Sequence, residues 1–407
     1  MTAFIGRREF ITLLGGAAAA WPLAAGAQQG EGPVFLGGVQ VPDPLRLNSN
    51  AMVSGISEWE SVRRGELISQ FKAITFGQSL PLPIDQSYSV QTTDFVSPYV
   101  RRKIVTISIT GPNGVLPITL RMFIPLNVSR PPLFFQIDHR STSTSDPNQS
   151  TDYSPVAQIN ARGFAYAAFH VDEVAPDDYT DYPQGAGPWN TKMIDLFNFN
   201  VPPNNGGAIS AWAWGASRVM DYLVTDPDID TARVYLQGYS RSAITALWAG
   251  AQDTRFKLVI SNMSGTPGAR LIRHVNPLGQ PIQSFRDDLT SWFPDTYYAY
   301  SGNDTNIPVD ANELLSLIAP RSVYVASAEL DEWHDPQGEF LGLIGAQRVY
   351  QLYATPSLGL TESSWRPTLD QEYHADPRRG YHIRSGDHGL LLADWQMFMD
   401  FAAQHFG

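Results

Sequence analysis

Short apolar runs alternate with longer amphipathic stretches along most of the chain. Val, Ile, Leu, Phe, Tyr and Ala make up most of the short runs, and this length and composition predict buried strands. The runs occupy residues 133–137, 164–169, 234–236, 256–261 and 322–327. Buried strands that alternate with helices indicate parallel βαβ units, so we expect one mostly parallel sheet.

The stretches between and around these runs carry helical or turn signals. A Gly-Pro-Asn-Gly turn at residues 111–114 separates two further strand-like runs, and it predicts an antiparallel pair. Asp310-x-x-Glu313 is a capping box, which predicts the start of a short helix. Helices are predicted over residues 58–71, 208–223, 310–318 and 394–406.

Composition narrows the possible functions. The 407 residues carry a formal net charge of -12, so nucleic acids and anionic membrane surfaces are not expected partners. Cysteine is absent, which excludes disulfides, thiolate metal sites and a cysteine nucleophile. The spacing of histidines and carboxylates does not resemble a metal site. We therefore expect no metal.

The first residues have the pattern of an export signal. Paired arginines, Arg7 and Arg8, precede an apolar Ala-rich run that ends in an Ala-Gly-Ala site at residues 25–27. This pattern is typical of a twin-arginine signal peptide, and the run is too short for a permanent membrane span. We expect a signal over residues 1–27, an N-terminal extension over 28–100 that packs on the core, and a catalytic domain over 101–407. The expected location is the periplasm or the exterior of the cell.

The stretch that most strongly indicates chemistry is Gly238-Tyr239-Ser240-Arg241-Ser242, which follows a predicted strand and enters a helix-forming segment. A tight turn between strand and helix raises a serine Oγ above the carboxyl edge of a sheet, where the positive end of the helix also points. Gly238 suits such a turn because a Cβ there would crowd it. The alternative is an ordinary helix N-cap serine.

A serine nucleophile needs a neutral imidazole to take its proton. His388 lies in the last loop before the terminal helix and is the expected base. His139 and His170 each follow a predicted strand and are expected to line the pocket as binding residues. Ordinary surface positions are expected for four other histidines, which are His274, His334, His374 and His405. His382 lies within a strand-like run and is expected to pack or to face solvent.

A carboxylate must hold that imidazole in one tautomer. The loop after the run at 322–327 offers Asp331 as the first choice, with Asp335 and Glu329 as alternatives. The chain order Ser240, Asp331, His388 is the order found in α/β-hydrolases. The sequence therefore predicts an α/β-hydrolase, a three-layer sandwich with a mostly parallel central sheet.

Ester hydrolysis also requires donors for the oxyanion. The backbone N–H of Arg241 follows the nucleophile directly and is the expected donor, and the Arg241 guanidinium can add positive charge. A second donor is expected from the loop after residues 133–137.

These residues resemble a family motif, the Gly-Cys-Ser-Arg-x-Gly-Lys sequence of glucuronoyl esterases. The resemblance implies a single-domain α/β-hydrolase without cofactor that cleaves the ester between 4-O-methylglucuronate on xylan and lignin alcohols. It implies that Ser240 is the nucleophile, His388 the base, Arg241 an oxyanion stabiliser and Trp333 a contact to the sugar. The likeness extends from about residue 133 to the C-terminus, through residues 214–218, 226–230, 317–321 and 380–395.

Two positions depart from the family pattern. Many members place the catalytic Glu in a Glu-Ser-Gly segment, which here begins with Met263, and Asp331 matches the alternative site of some bacterial members. Ile244 replaces a lysine that contacts the uronate hydroxyls, and loss of such a contact weakens binding by about 1–3 kcal/mol.

The sequence thus predicts an exported serine ester hydrolase that acts through an acyl-enzyme and most resembles a glucuronoyl esterase. Its expected partner is a small-molecule or polysaccharide-linked ester. One alternative is a carboxylesterase or deacetylase on the same scaffold, which Ile244 favours. Another is a non-catalytic carbohydrate-binding relative, in which the change at Met263 has abolished activity.

Overall fold

A ten-stranded sheet runs through the part of the chain that the computed structural model describes, which is residues 32–95, 98–140, 148, 150–177, 192–197, 207–362, 365, 367–376 and 378–407. Two further short strands, β1 and β2, form a separate antiparallel pair. The strands are β1 (Val34–Leu36), β2 (Val39–Val41), β3 (Asp85–Phe95), β4 (Val100–Gly111), β5 (Gly114–Pro125), β6 (Leu133–Asp138), β7 (Ala165–His170), β8 (Val234–Tyr239), β9 (Leu258–Asn262), β10 (Ser322–Ala328), β11 (Gln371–Asp376) and β12 (Arg379–Arg384).

The order of the sheet is β11-β12-β10-β9-β8-β6-β7-β5-β4-β3. Six consecutive strands, from β12 to β7, are parallel, whereas the strands at both ends run antiparallel. Every residue of β6, β8, β9 and β10 is buried, as expected for parallel strands covered on both faces. The predicted α/β-hydrolase architecture with a mostly parallel central sheet is therefore confirmed.

Eleven α-helices lie in the described ranges of the chain. They are α1 (Ile56–Glu58), α2 (Arg64–Phe71), α3 (Val156–Ala161), α4 (Met193–Leu196), α5 (Ala208–Leu223), α6 (Arg241–Gln252), α7 (Ile282–Asp288), α8 (Asp295–Tyr298), α9 (Ala311–Ser316), α10 (Pro336–Leu352) and α11 (Leu392–Phe406). A π-helical turn, Trp59–Arg63, joins α1 to α2, and a second one, Lys72–Phe76, extends α2, so that the four form one helical segment. No helix in the described ranges is long and apolar enough to cross a membrane.

Two apolar clusters pack against opposite faces of the sheet. Neighbouring residues of β6 divide between them, because Phe135 belongs to one cluster and Phe134 to the other. Trp248 of α6 lies in the first cluster, and Trp395 of α11 lies in the second. Helices therefore cover both faces, which makes the three layers and leaves the ends of the strands available for a site.

The described residues before β4 contribute to the same core. β3 pairs with β4 along its whole length and forms one edge of the sheet. In the helical segment, Phe76 stacks on Trp248 with ring centroids 4.4 Å apart. The signal predicted over residues 1–27 lies outside the described residues.

Candidate active site

The serine elbow has the strained backbone that its sequence predicts. β8 ends at Tyr239 and α6 begins at Arg241, and between them Ser240 has φ 55° and ψ −128°. A non-glycine residue at positive φ is strained, and such strain persists where the surrounding structure imposes it. A Cβ on Gly238 would lie 2.0 Å from the carbonyl oxygen of Ser242, so only glycine fits there. The Ser240 N–H donates to the Asn262 carbonyl at 2.9 Å, which fixes the elbow to the end of β9.

The carboxylate of Asp331 and the imidazole of His388 meet beside this elbow. His388 Nδ1 lies 2.7 Å from Asp331 Oδ2. Asp331 follows β10 and His388 follows β12, and these neighbouring parallel strands release their loops at the same edge of the sheet as β8. The His388 ring centroid is 4.8 Å from that of Tyr239, the residue before Ser240. The structure thus brings the predicted base and first-choice acid together, with the base against the ring of the residue that precedes the predicted nucleophile.

Burial and hydrogen bonding set the charge of this pair. Burial lowers the pKa of His388, and the hydrogen bond to Asp331 opposes this only in part. Burial alone would raise the pKa of Asp331, but hydrogen bonds from His334 and His388 outweigh it and hold the pKa below its usual value. An ionised carboxylate is only an acceptor, so Nδ1 of His388 carries the proton and Nε2 is left as the basic nitrogen.

The alternative acids occupy different positions. Asp335 caps α10, and its Oδ2 accepts from Arg270 Nε at 2.9 Å and from His274 Nδ1 at 2.7 Å. These bonds give Asp335 a structural function, and its partner His274 is mostly buried, so the expectation that His274 lies at the surface is wrong. Glu329 is exposed. Of the three candidates, Asp331 is the carboxylate that contacts His388.

His334 is the residue that the sequence analysis missed. Its Nδ1 lies 2.8 Å from Asp331 Oδ1, and its ring stacks on His388 with centroids 4.1 Å apart and planes 8° from parallel. The side chain is only 13% exposed, so its expected surface position is wrong. The sequence offered a signal, because a side chain three positions after Asp331 can reach back to its carboxylate when the chain makes a turn before a helix.

Asp331, His334 and His388 each offer a potential ligand atom within 4.8 Å of the others, so a metal must be considered. Two ligand atoms on one tetrahedral zinc ion lie about 3.3 Å apart, given bonds of about 2.0–2.1 Å. The two imidazole nitrogens are instead 2.7 and 2.8 Å from the carboxylate oxygens, which are the distances of direct hydrogen bonds. The arrangement is that of a hydrogen-bonded cluster.

Arg241 is anchored at the start of α6. Its Nη1 lies 2.9 Å from Asp177 Oδ2, and its guanidinium carbon lies 4.7 Å from the centre of the Trp292 ring. Trp292 Nε1 donates to the other oxygen of Asp177 at 3.1 Å, so one carboxylate orients both side chains. As the first residue of α6, Arg241 also has its backbone N–H at the positive end of the helix.

His139 follows β6 at the same edge of the sheet. Its Nδ1 lies 2.9 Å from Ser242 Oγ, and its ring stacks on Tyr239 at 5.7 Å. Burial, together with the positive charges of Arg241 and Arg140, lowers the pKa of His139 well below its usual value. The imidazole is therefore neutral near neutral pH. His170 lies nearby at the end of β7, where its Nδ1 accepts from the Asp172 N–H at 3.3 Å.

Arg384 organises the loop that carries His388. Its guanidinium donates to the carbonyls of Ser385, Asp387 and Gly389 at 2.8, 2.6 and 2.8 Å. Asp394 holds the same guanidinium, with Nε 3.2 Å from Oδ2. Met263 completes the surroundings, since its Sδ lies 3.8 Å from Arg384 Nη2 and 3.5 Å from the Gly389 nitrogen.

Two further predicted positions have contrasting surroundings. Trp333 is 46% exposed and directly precedes His334, so its indole is accessible at the rim of the site. Ile244 is 2% exposed and belongs to the apolar cluster under α6. The position of the family lysine is thus filled by a side chain that packs into the core.

The chain is similar to known carbohydrate esterases in sequence and in fold. A family model for fungal glucuronyl esterases matches residues 141–354, just over half of the chain. The solved structure of a glucuronoyl esterase from Solibacter usitatus is 31% identical and covers 92% of this chain and 99% of its own, with a TM-score of 0.78. Carbohydrate esterase MZ0003, from an unknown prokaryotic organism, is 29% identical over 90% of this chain and 89% of its own. The 4-O-methyl-glucuronoyl methylesterase 1 of Wolfiporia cocos is 25% identical over 78% of this chain and 73% of its own.

Proposed function

Because the chain belongs to the glucuronoyl esterase family of carboxylic ester hydrolases, we propose that it cleaves esters of 4-O-methylglucuronate with Ser240, His388 and Asp331 as its catalytic triad. One observation carries this proposal. The Asp331–His388 hydrogen bond of 2.7 Å lies against the ring of Tyr239, at the base of a strained serine elbow. The loops that carry the proposed nucleophile, base and acid leave the same edge of the parallel sheet, which supports the assignment.

The proposed reaction has two steps. Ser240 Oγ attacks the ester carbonyl carbon while Nε2 of His388 takes its proton, and Asp331 remains ionised to stabilise the imidazolium. The Arg241 N–H and the positive end of α6 stabilise the oxyanion. The intermediate collapses to a glucuronoyl-serine ester and an alcohol, which leaves with the proton from His388. Water then attacks the acyl-enzyme by the same route and releases the uronate.

Hydrolysis of benzyl glucuronate by the purified protein tests the function, with Ser240→Ala as the variant. We expect the wild type to be active and Ser240→Ala to lose about 10⁶-fold in kcat. A fluorophosphonate should label the wild type at Ser240 and leave Ser240→Ala unlabelled. Absence of both turnover and labelling in a folded wild type would instead support a non-catalytic sugar-binding protein.

The buried Ile244 favours a second candidate, a carboxylesterase or deacetylase with broader substrates. A sugar-binding lysine is missing at this position, so the site has fewer polar groups for a uronate. Comparison of benzyl glucuronate with p-nitrophenyl acetate separates the two, because turnover of the acetate alone would reject the uronate. Trp333→Ala provides a further check. If Trp333 contacts the sugar, KM should rise for the glucuronate ester and not for the acetate.

We also propose that the protein is exported through the twin-arginine signal over residues 1–27. The paired arginines, the short apolar run and the Ala-Gly-Ala site support this assignment. N-terminal sequencing of the protein from a periplasmic fraction should begin at Gln28. Recovery of the full-length chain from the cytoplasm alone would contradict it.

A further inference from the structure

Both oxygens of the proposed catalytic acid bind an imidazole. Asp331 Oδ2 accepts from His388, as the reaction requires, and Oδ1 accepts from Nδ1 of His334 at 2.8 Å. The reaction described above makes no use of His334. Its ring nevertheless lies parallel to the catalytic imidazole at 4.1 Å.

The backbone around His334 fits its ring closely. The His334 N–H donates to the Asp331 carbonyl at 3.1 Å, which closes a tight turn between acid and second imidazole. A Cβ on Gly265 would lie 2.5 Å from His334 Cδ2, and Gly265 has φ 59°. A glycine that can adopt this backbone conformation thus admits the ring.

We propose that His334 is a positioning residue, which fixes the Asp331 carboxylate relative to the His388 imidazole chiefly through its hydrogen bond to Oδ1 and to a smaller extent through the ring stack. The inference rests on the proposed triad. Without His334, the carboxylate is free to rotate about its side-chain torsion, and Oδ2 faces Nδ1 of His388 only part of the time.

The same contacts affect the basicity of His388. A hydrogen bond to Oδ1 draws negative charge away from Oδ2, so the carboxylate stabilises an imidazolium at His388 less strongly. The groups that face His388 are Asp331 and His334 from the loop after β10, Arg140 and His139 from the loop after β6, and the ring of Tyr239 from β8. Among these, only Asp331 favours a charged His388. While Oδ2 still faces His388, loss of the His334 hydrogen bond leaves more negative charge on Oδ2, and the nearby His334 imidazole no longer opposes a charge on His388, so the pKa of His388 rises.

Two substitutions separate the hydrogen bond from the stack. His334→Phe keeps a flat ring against His388 but removes the donor to Asp331. His334→Asn removes the ring but places an amide N–H close to the position of Nδ1. His274→Phe is the matched control, because His274 also donates Nδ1 to a buried carboxylate, that of Asp335 at 2.7 Å.

The experiment measures kcat and KM for p-nitrophenyl acetate and benzyl glucuronate from acidic to alkaline pH, together with thermal unfolding. For His334→Phe we expect kcat to fall about tenfold, KM to change less than twofold, and the acid limb of kcat/KM to move to higher pH. His334→Asn should retain most of kcat and the wild-type acid limb. His274→Phe should lower the melting temperature and leave the acid limb unchanged.

Four outcomes would overturn the inference. His334→Phe could match the wild type in kcat and in its acid limb, or His334→Asn could be impaired as much as His334→Phe, which would indicate a packing effect. Full turnover in Asp331→Asn would overturn the triad itself and this inference with it. A loss of turnover in Asp331→Asn but not in His334→Phe would refute the positioning role alone.

Discussion

Replacing Asp331 by Asn tests the proposed acid, and the expected loss of kcat depends on how the new amide is oriented. The carboxylate accepts two imidazole N–H groups, whereas an amide has one oxygen and one NH₂ group. If the amide NH₂ faces His388, Nδ1 must lose its proton and Nε2 must carry it. The imidazole is then in the wrong tautomer to act as a base, which costs about 10⁴-fold in kcat.

The second imidazole offers a less damaging arrangement. If the amide oxygen faces His388 and the NH₂ group faces His334, it is His334 that changes tautomer, and His388 remains a competent base. The loss is then mainly that of the negative charge beside the imidazolium. At an effective dielectric constant of about 20, two charges about 4 Å apart interact by about 4 kcal/mol, or about 10³-fold in rate.

We therefore expect kcat of Asp331→Asn to fall about 10³-fold, and kcat of the double variant Asp331→Asn/His334→Phe to fall about 10⁴-fold. Single-turnover hydrolysis of benzyl glucuronate measures both, and circular dichroism checks that each variant is folded. Asp335→Asn is the control. It should lose stability by about 3–5 kcal/mol because Arg270 loses a buried partner, yet keep kcat within about tenfold. The reasoning is refuted if Asp335→Asn abolishes turnover and Asp331→Asn does not.

Three further substitutions or conditions test the site. In a pH profile, the acid limb of kcat/KM should have its midpoint below 6.5, because burial lowers the pKa of His388 and only the neutral imidazole is active. A midpoint above 6.5 would contradict this expectation. Gly238→Ala should destabilise the protein by more than about 3 kcal/mol, since its Cβ would lie 2.0 Å from the Ser242 carbonyl oxygen. An unchanged urea concentration at the midpoint of unfolding would refute the close approach. Arg384→Met should reduce kcat more than it changes KM in steady-state assays, because three carbonyls in the His388 loop lose their donor. A kcat equal to that of the wild type would show that the loop keeps its conformation without Arg384.

Much of the fold was predictable because its signals are local. The Gly-Pro-Asn-Gly turn and the flanking runs predicted the β4–β5 pair, whose register places Gly111 opposite Gly114. The Asp310–Glu313 capping box is also present as predicted. By contrast, α10 was not predicted. Asp335-Pro336 is a helix-start signal, but the apolar and small residues within the helix follow no clear helical period.

The site was less predictable because it depends on contacts between distant segments. Ser240, Asp331 and His388 were predicted from two features, their positions after predicted strands or in the last loop and their order along the chain. The function of Asp335 as a partner of Arg270 became apparent only in three dimensions, since 65 positions separate them. His334 was missed for a different reason. A histidine in an acidic loop has the composition of a surface residue, and only the fold shows that its ring turns inward.

The contacts of Met263 bear on how the loop that carries His388 is held. The Met263 sulfur lies beside the Arg384 guanidinium and the Gly389 nitrogen. A thioether is only a weak acceptor, so the stronger bonds of this guanidinium are those to Asp394 and to the loop carbonyls. The orientation of His388 is therefore governed mainly within one short stretch of the chain, from the end of β12 to the start of α11.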